Sequence, residues 1–402
     1  MKDVHVTNAI RKYGLGIVVM GLTCGAALGG PVQAPAEAEV SDVASLAPDR
    51  PHRFFAGGWG SSGFVIFDAD TGRMEGSVPA GYEANLSIAP DESRFYVSET
   101  YWTHGSRGKR EDLVSIYDAR TLNLVKEIDL PGRALVGKVQ NFDLSASGSR
   151  GYVYVLHPAS SVVWVDLKKQ VVAGTVEIPG CALVFPWGEE GFSSLCGDGS
   201  LATVSISDSG SAKVTHTKPF FDANRDPIFE NSFVDRDTGR AIFLSYSGLV
   251  YEAKLGLDTT VQKPWSIEQA AGYAAAGTGV QELAWRPGGV QLAAYHKASG
   301  RLFVLMHVGN YWTHKQGGTE IWVLDTKTHA LLRRIPLQPV PTSGAADEKL
   351  PLYSSIGVSQ DDKPLLYLLN PDGNDVVMDA ATGEILRKIE FAAGHVVRVP
   401  GY

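Results

Sequence analysis

The side chains that could do chemistry unaided are few and poorly spaced for it. Ten histidines are scattered over 402 residues, and no two stand three to five apart, the separation that brings two imidazoles to one metal. The nearest pair, His307 and His314, is seven apart across a loop containing Gly309 and Asn310. There is no G-x-S-x-G elbow, no H-E-x-x-H, no paired C-x-x-C, no EF-hand loop and no glycine-rich phosphate loop between a strand and a helix. The sequence thus names no catalytic residue and no metal ligand set, and it reads as a scaffold or binding surface. Two loops stand out instead. Tyr101-Trp102-Thr-His104 recurs verbatim as Tyr311-Trp312-Thr-His314, the first followed by Arg107 and Arg110 and the second by Lys315. Aromatic rings beside basic groups supply rigid contact area and directional donors, as a protein-binding face requires, although the two tryptophans equally suit gaps between packed elements. Trp59, in Gly57-Gly-Trp-Gly60, stands on a flexible loop from which an aromatic could gate a small-molecule channel, although a tryptophan packed between neighbouring elements is the commoner role.

These residues must be held by something, and composition narrows the choice. Hydrophobic residues are 44% and charged ones 20%, enough apolar mass for a large core, while 44 glycines and 21 prolines imply many turns. Lys+Arg number 36 against Asp+Glu 44, so a net charge of −8 disfavours nucleic acid as a partner. Lys2, Arg11 and Lys12 precede an apolar run from Tyr13 to Gly30, with small residues at Ala34, Ala36 and Ala38, the layout of a signal peptide over 1–34 cleaved between 34 and 38. An uncleaved anchor is the competing reading, but Gly14, Gly16, Gly21 and Gly25 interrupt the run; lipidation of Cys24 is another, but Gly21 stands where an aliphatic residue is wanted. The mature chain is then expected outside the cytoplasm and free of the membrane, with 35–46 a flexible N-terminus and 47–402 the folded body. In that compartment Cys181 and Cys196, 15 apart, are expected to form a disulfide.

Self-similarity organises the body. An alternating strand, an Asp-led turn and a returning strand recur as Phe64–Ser77, Val114–Ile128, Val162–Ile178, Ala202–Thr217, Val250–Trp265, Ile321–Ile335 and Val376–Ile389. Asp-x-x-Thr-Gly supplies a side-chain-stabilised turn and a positive φ, which an antiparallel pair needs. Between the copies lie further strand pairs, such as Ser87–Val97, Ser145–Val155 and Ser359–Tyr367. Four strands in about 50 residues make one propeller blade, so an all-β, seven-bladed β-propeller of four-stranded antiparallel blades is expected. A two-domain β-sandwich would not explain seven such hairpins. Ring closure predicts that residues near His395 to Val399 pair with the first blade, and the one helical-looking stretch is Ser266 to Ala276.

Several phrases in fixed order carry a resemblance. Arg107-Gly-Lys-Arg110 leads into Val114-Ser-Ile-Tyr-Asp118; Cys181 is followed by Cys196-Gly-Asp-Gly-Ser-Leu201; Trp285-Arg-Pro-Gly-Gly289 runs to Tyr295-His-Lys-Ala-Ser-Gly300; and His314-Lys315, Ile321-Trp-Val-Leu-Asp-Thr-Lys-Thr328 and Ile356-Gly-Val-Ser-Gln-Asp-Asp-Lys-Pro-Leu-Leu-Tyr367 follow. From about Ala47 to its end the chain resembles the heavy subunits of the periplasmic quinoprotein amine dehydrogenases, the methylamine more than the aromatic amine enzymes. The resemblance implies a propeller paired with a small disulfide-rich light subunit, two heavy and two light chains together. It also implies that tryptophan tryptophylquinone and the catalytic groups sit on the light chain, and that a primary amine is oxidised there. Electrons would pass to a cupredoxin such as amicyanin or to a cytochrome c. Tyr101, Trp102, His104, Arg107, Arg110, Tyr311, Trp312 and His314 are then candidates for the partner interface, and Trp59 and Tyr82 for the wall of the substrate channel. A stand-alone periplasmic propeller that binds a ligand without redox chemistry is the alternative.

Overall fold

A computed structural model describes residues 45–402 except 49, 58–62, 106, 135–137, 338–352, 372, 374, 390–394 and 402. The expected signal segment and Trp59 lie outside the described residues. The body is built of four-stranded antiparallel sheets in which chain order is strand order from the axis outward. Blade 2 is typical, with Tyr82–Ile88, Arg94–His104, Arg107–Asp118 and Leu124–Asp129 paired in sequence. Blades 3 to 7 repeat the plan, with small variations: the innermost position is split in blades 3 and 6, the outermost in blade 5. All seven hairpins read from the sequence are the two outer strands of a blade. The one α-helix among the described residues is a single turn, Ile267–Ala270, whose Ser266 hydroxyl accepts from the Gln269 amide.

The two-residue period of a strand explains why blades must ring an axis. Successive side chains point to opposite faces, and both faces are apolar. In Arg53–Gly57, Phe54 stacks on Tyr367 of blade 7 at 4.4 Å between ring centroids, while Phe55 meets Phe95 of blade 2 edge-on at 4.9 Å. Seven buried clusters follow, each spanning one pair of neighbouring blades, including blades 7 and 1. Closure takes the expected form. Val396–Arg398 pairs with the first strand, Phe55 opposite Arg398 and Gly57 opposite Val396, so blade 1 takes its innermost strand from the chain end.

Turn chemistry holds the outer hairpins. The carboxylates of Asp68, Asp118, Asp166, Asp325 and Asp379 each accept backbone or hydroxyl donors two or three residues on, for example Thr71 Oγ1 at 2.9 Å and the Thr382 amide at 2.6 Å. The fourth residue after each aspartate has positive φ: Gly72 and Gly383 adopt it freely, Leu122, Gln170 and His329 under strain. Cys181 and Cys196 lie directly opposite on the two inner strands of blade 4 and are disulfide-bonded.

One ion cluster spans the closing seam. His52 Nδ1 lies 2.7 Å from Asp70 of blade 1 and its Nε2 3.2 Å from Asp361 of blade 7. Burial disfavours the charged ring, but the two carboxylates outweigh it and raise the pKa above its ordinary 6.5. Both nitrogens donate only in the charged form, so this contribution is fully present below pH 6.5 and is lost as pH rises through the raised folded value. With Asp70 largely exposed, about 0.5 to 1 kcal/mol is expected. His52→Gln should therefore lower Tm by about 1 to 2 °C at pH 5.5 and by less at pH 8.5; an equal loss at both would contradict the latch. Replacing both Cys181 and Cys196 with serine should cost roughly 2 to 3 kcal/mol of unfolding free energy in denaturant titration, through a looser unfolded chain. A cost below about 0.5 kcal/mol would contradict that account.

Candidate functional site

Antiparallel order sorts the loops onto two faces. In each blade the first and third turns fall at one end of the sheet; the turn from second to third strand and the connection to the next blade fall at the other. The first end is closed by the tight Asp-led turns. The second carries the long connections, among them residues 217–232, 267–283 and 310–319. Every described candidate from the sequence lies on this connection face: Tyr82 opens blade 2; Tyr101, Trp102, His104, Arg107 and Arg110 line its long central hairpin; Cys181 and Cys196 end strands of blade 4; Tyr311, Trp312 and His314 fill the corresponding loop of blade 6.

The two identical tetrapeptides fold differently. Tyr101-Trp-Thr-His104 continues a strand, so its residues alternate, and Trp102 lies under the Arg110 guanidinium at 5.5 Å. Arg110 is also bound to Asp112 at 2.7 and 2.8 Å and to the Ala134 carbonyl at 2.7 Å, which pins the hairpin to blade 3. Arg107 and His104 are exposed at its tip. Tyr311–Thr313 instead forms a 3-10 turn that turns Tyr311 inward, 2% exposed, beneath Arg286 at 5.4 Å, with its hydroxyl donating to the Arg225 carbonyl. Trp312 is left 57% exposed. His314 stacks on Tyr246 at 4.2 Å, and burial, with Lys315 beside it, lowers its pKa. His307 is fully buried with Nε2 2.7 Å from the Thr313 hydroxyl, and burial holds it near 4. The two histidines thus serve separate packing roles.

Several residues on this face escaped sequence reading. Tyr273, Val280, Leu283 and Val308 are exposed apolar groups, the first three on the 267–283 insertion, and Tyr273, Leu283 and Val308 line one surface hollow with Trp285. Arg286 is fully buried, donating to the carbonyls of Gly309 and Glu282, so the Trp285-Arg-Pro-Gly-Gly289 phrase ties the insertion to the blade 6 loop. Glu230 accepts from Lys138 at 2.6 Å and Lys315 at 2.7 Å; burial works against its charge, but the two lysines hold it down at about 2. Glu99, 1% exposed, was visible only as a lone acid inside an apolar strand. On the axis, the innermost strands line a cavity of about 50 Å³, room for a few waters. The sulfurs of Cys181 and Cys196 lie within 4.8 Å of a His216 ring nitrogen, but as a disulfide they offer no thiolate to a metal.

The chain is similar to known proteins in sequence and in fold. A profile of the methylamine dehydrogenase heavy chain family matches residues 60–399. A methylamine dehydrogenase heavy chain of Paracoccus versutus is 33% identical over 332 residues, 81% of this chain and 72% of the relative. That of Methylobacillus flagellatus is 31% identical over 329 residues, 80% of this chain and 77% of the relative. Among solved structures, the dihydro-heme d1 dehydrogenase NirN superposes with a TM-score of 0.55 at 14% identity, over 89% of this chain and 77% of that one. The β-propeller domain of Cps50 (Swd1) does so at 0.53 with 10% identity, over 85% and 94%. At such identities the last two bear on the fold alone.

Proposed function

This chain belongs to the methylamine dehydrogenase heavy chain family, and from that premise we propose that it is the cofactor-free subunit of a periplasmic amine dehydrogenase whose substrate is a primary amine, methylamine first. It pairs with a small disulfide-rich light subunit, two of each, and the complex gives its electrons to a cupredoxin of the amicyanin kind or to a cytochrome c. Tryptophan tryptophylquinone, borne by the light subunit, supplies the electron sink for amine oxidation. The signal-like residues 1–34 and the disulfide support an exported protein.

The observation that carries the reading is where the exposed apolar side chains fall. Among the described residues, the large exposed hydrophobics outside the outermost strands and their turns are Tyr82, Tyr101, Leu156, Tyr273, Val280, Leu283, Val308 and Trp312, and all lie on the connection face. A face that carries Lys315, Lys138 and Arg107 among exposed aromatic and aliphatic groups has the composition of a protein interface. The chain's own part in the chemistry follows from that position. It walls off the partner's reaction site, excludes water, and presents Tyr82 and Tyr101 as apolar surface along the path of an incoming alkylamine.

Affinity purification of this chain from its native periplasm should bring down a small subunit with quinone absorbance and methylamine-dependent dye reduction. A lone, colourless, inactive chain from amine-grown cells would favour the stand-alone binding propeller instead. Trp312→Asp and Leu283→Asp should each weaken light-subunit binding by about 30-fold or more, the loss of a buried anchor, while Leu386→Asp on the outer rim should change it less than about twofold. Equal effects at both places would remove the connection face as the interface.

A further inference from the structure

The 267–283 insertion and blade 6 border a surface hollow of about 310 Å³. Tyr273, Leu283, Trp285 and Val308 form its apolar sides, and its charged members are two acids, Glu268 and Glu282; no lysine or arginine is among the described residues that line it. Two arginines outside the lining hold its walls. Arg334 of blade 6 donates to the Tyr273 hydroxyl at 2.7 Å and to the two Glu320 oxygens at 2.6 and 2.8 Å, and its guanidinium lies 4.7 Å from the Trp285 ring centre. Arg286 donates to the Glu282 carbonyl at 3.2 Å, and the Glu282 carboxylate accepts from the Gly277 amide at 2.7 Å. The hollow is thus preformed, as ligand-binding sites usually are.

Glu268 is its unusual member. It stands on the single helical turn, 1% exposed, and Gly248 makes room for its carboxyl, since a Cβ there would come 2.2 Å from Oε1. The Ser266 hydroxyl donates to Oε2 at 2.8 Å, but Oε1 meets no donor from the protein. Burial raises the carboxyl to about 7; the Ser266 hydroxyl and the charge of Arg286 oppose that, and Asp226 adds to it. Arg286 acts on it without bonding to it, its Nε and Nη2 being given to the carbonyls of Gly309 and Glu282. Folded proteins rarely leave a buried acceptor unmet, and a buried acid gains most from a donor that also carries positive charge.

We propose that this hollow receives a lysine side chain of the light subunit, its ammonium group taken by Glu268 and Glu282 and its methylenes by Tyr273, Leu283 and Trp285. The proposal rests on the reading of the connection face as the subunit interface and deepens it, by naming a socket and the side chain that fills it. Charge complementarity selects the occupant: two acids without a lining cation repel carboxylates and phosphates and attract a cation. The apolar sides select its shape. A lysine lays four methylenes along such walls and gains further from a cation beside aromatic faces, whereas a methylammonium ion would leave most of the hollow empty. A side chain seated in a preformed pocket is also the usual form of an interface anchor.

The test reads the dissociation constant of the heavy–light complex. Glu268→Gln keeps the side-chain shape but removes the charge, and should raise that constant about tenfold at pH 8. At pH 5.5 the difference should shrink to less than about twofold, because the free wild-type carboxyl is then protonated and must lose its proton to pair. Glu282→Gln, at the exposed rim, should cost about threefold, a second reading should the first variant fail to fold. Unchanged association of both variants, in a complex that still oxidises methylamine, would overturn the socket and leave the interface reading standing. A pH-independent loss for Glu268→Gln would also overturn it, since a packing defect alone would behave so. Binding of free n-butylammonium to the wild-type complex with its quinone blocked by phenylhydrazine, abolished by Glu268→Gln, would show a hollow open to small amines and would overturn the lysine as occupant. A chain purified without any light subunit would overturn the underlying reading, and n-butylammonium titrated into that chain still reports whether the hollow takes an ammonium group.

Discussion

The structure depends on one constraint: a blade with two apolar faces has no stable edge except another blade. Phe54 and Phe55, adjacent in the chain, serve different interfaces because the strand period is two, and the same alternation holds in every blade. An open stack would leave two such faces in water, so the ring must close, and the chain end supplies the strand that closes it. A buried amide secures the join near the axis. Gln291 of blade 6 donates to the carbonyls of Ile356 in blade 7 at 3.2 Å and of Val397 in blade 1 at 3.0 Å, and accepts from the Val397 amide at 2.9 Å. Three blades meet on one side chain with its donors and acceptor used.

Closure makes the two faces unequal. Turns on the hairpin face join strands already neighbours in a sheet, so they are short and carry Asp-led chemistry with little freedom to change. Links on the connection face must pass from the rim of one blade to the axis of the next, and the second-to-third turns beside them can lengthen without touching a blade interface. Insertions and exposed aromatics accumulate there, as the central hairpin of blade 2 and the 267–283 segment do. A rigid ring holding variable loops is how a scaffold places binding groups accurately without itself carrying the reaction.

The repeat was legible because its signals are local: alternation within a strand and an aspartate before a positive φ need no knowledge of distant residues. The seven hairpins, the closing strand, the short helix and the disulfide all follow from such signals, as does the family resemblance from phrases such as Cys196-Gly-Asp-Gly-Ser-Leu201. The candidate site was legible only in part. Tyr101-Trp-Thr-His104 and Tyr311-Trp-Thr-His314 are the same in sequence, yet one continues a paired strand and the other breaks into a turn under Arg286, a difference set by neighbours from other segments. Glu99 gave no recognisable motif because its bonds are to Gly81 and Ser115, 18 and 16 residues away. Val280 and Leu283 looked like ordinary loop residues, and only their exposure on the connection face distinguishes them.

Polar groups without protein partners add a last step. Glu268 Oε1, Arg286 Nη1, His307 Nδ1, His314 Nδ1, Tyr353 Oη and Asp375 Oδ2 are buried and bond to no other protein atom, and all six sit toward the connection face. Burial raises the Glu268 carboxyl to about 7 and that of Asp375 to about 8. A group of this kind reached by neither protein nor water would cost on the order of 1 to 3 kcal/mol, a burden that a small domain would not survive. Seven apolar interfaces, each with ten or more buried side chains, absorb it. The stability of the ring is what lets its connection face keep the exposed apolar and polar groups that a binding surface needs.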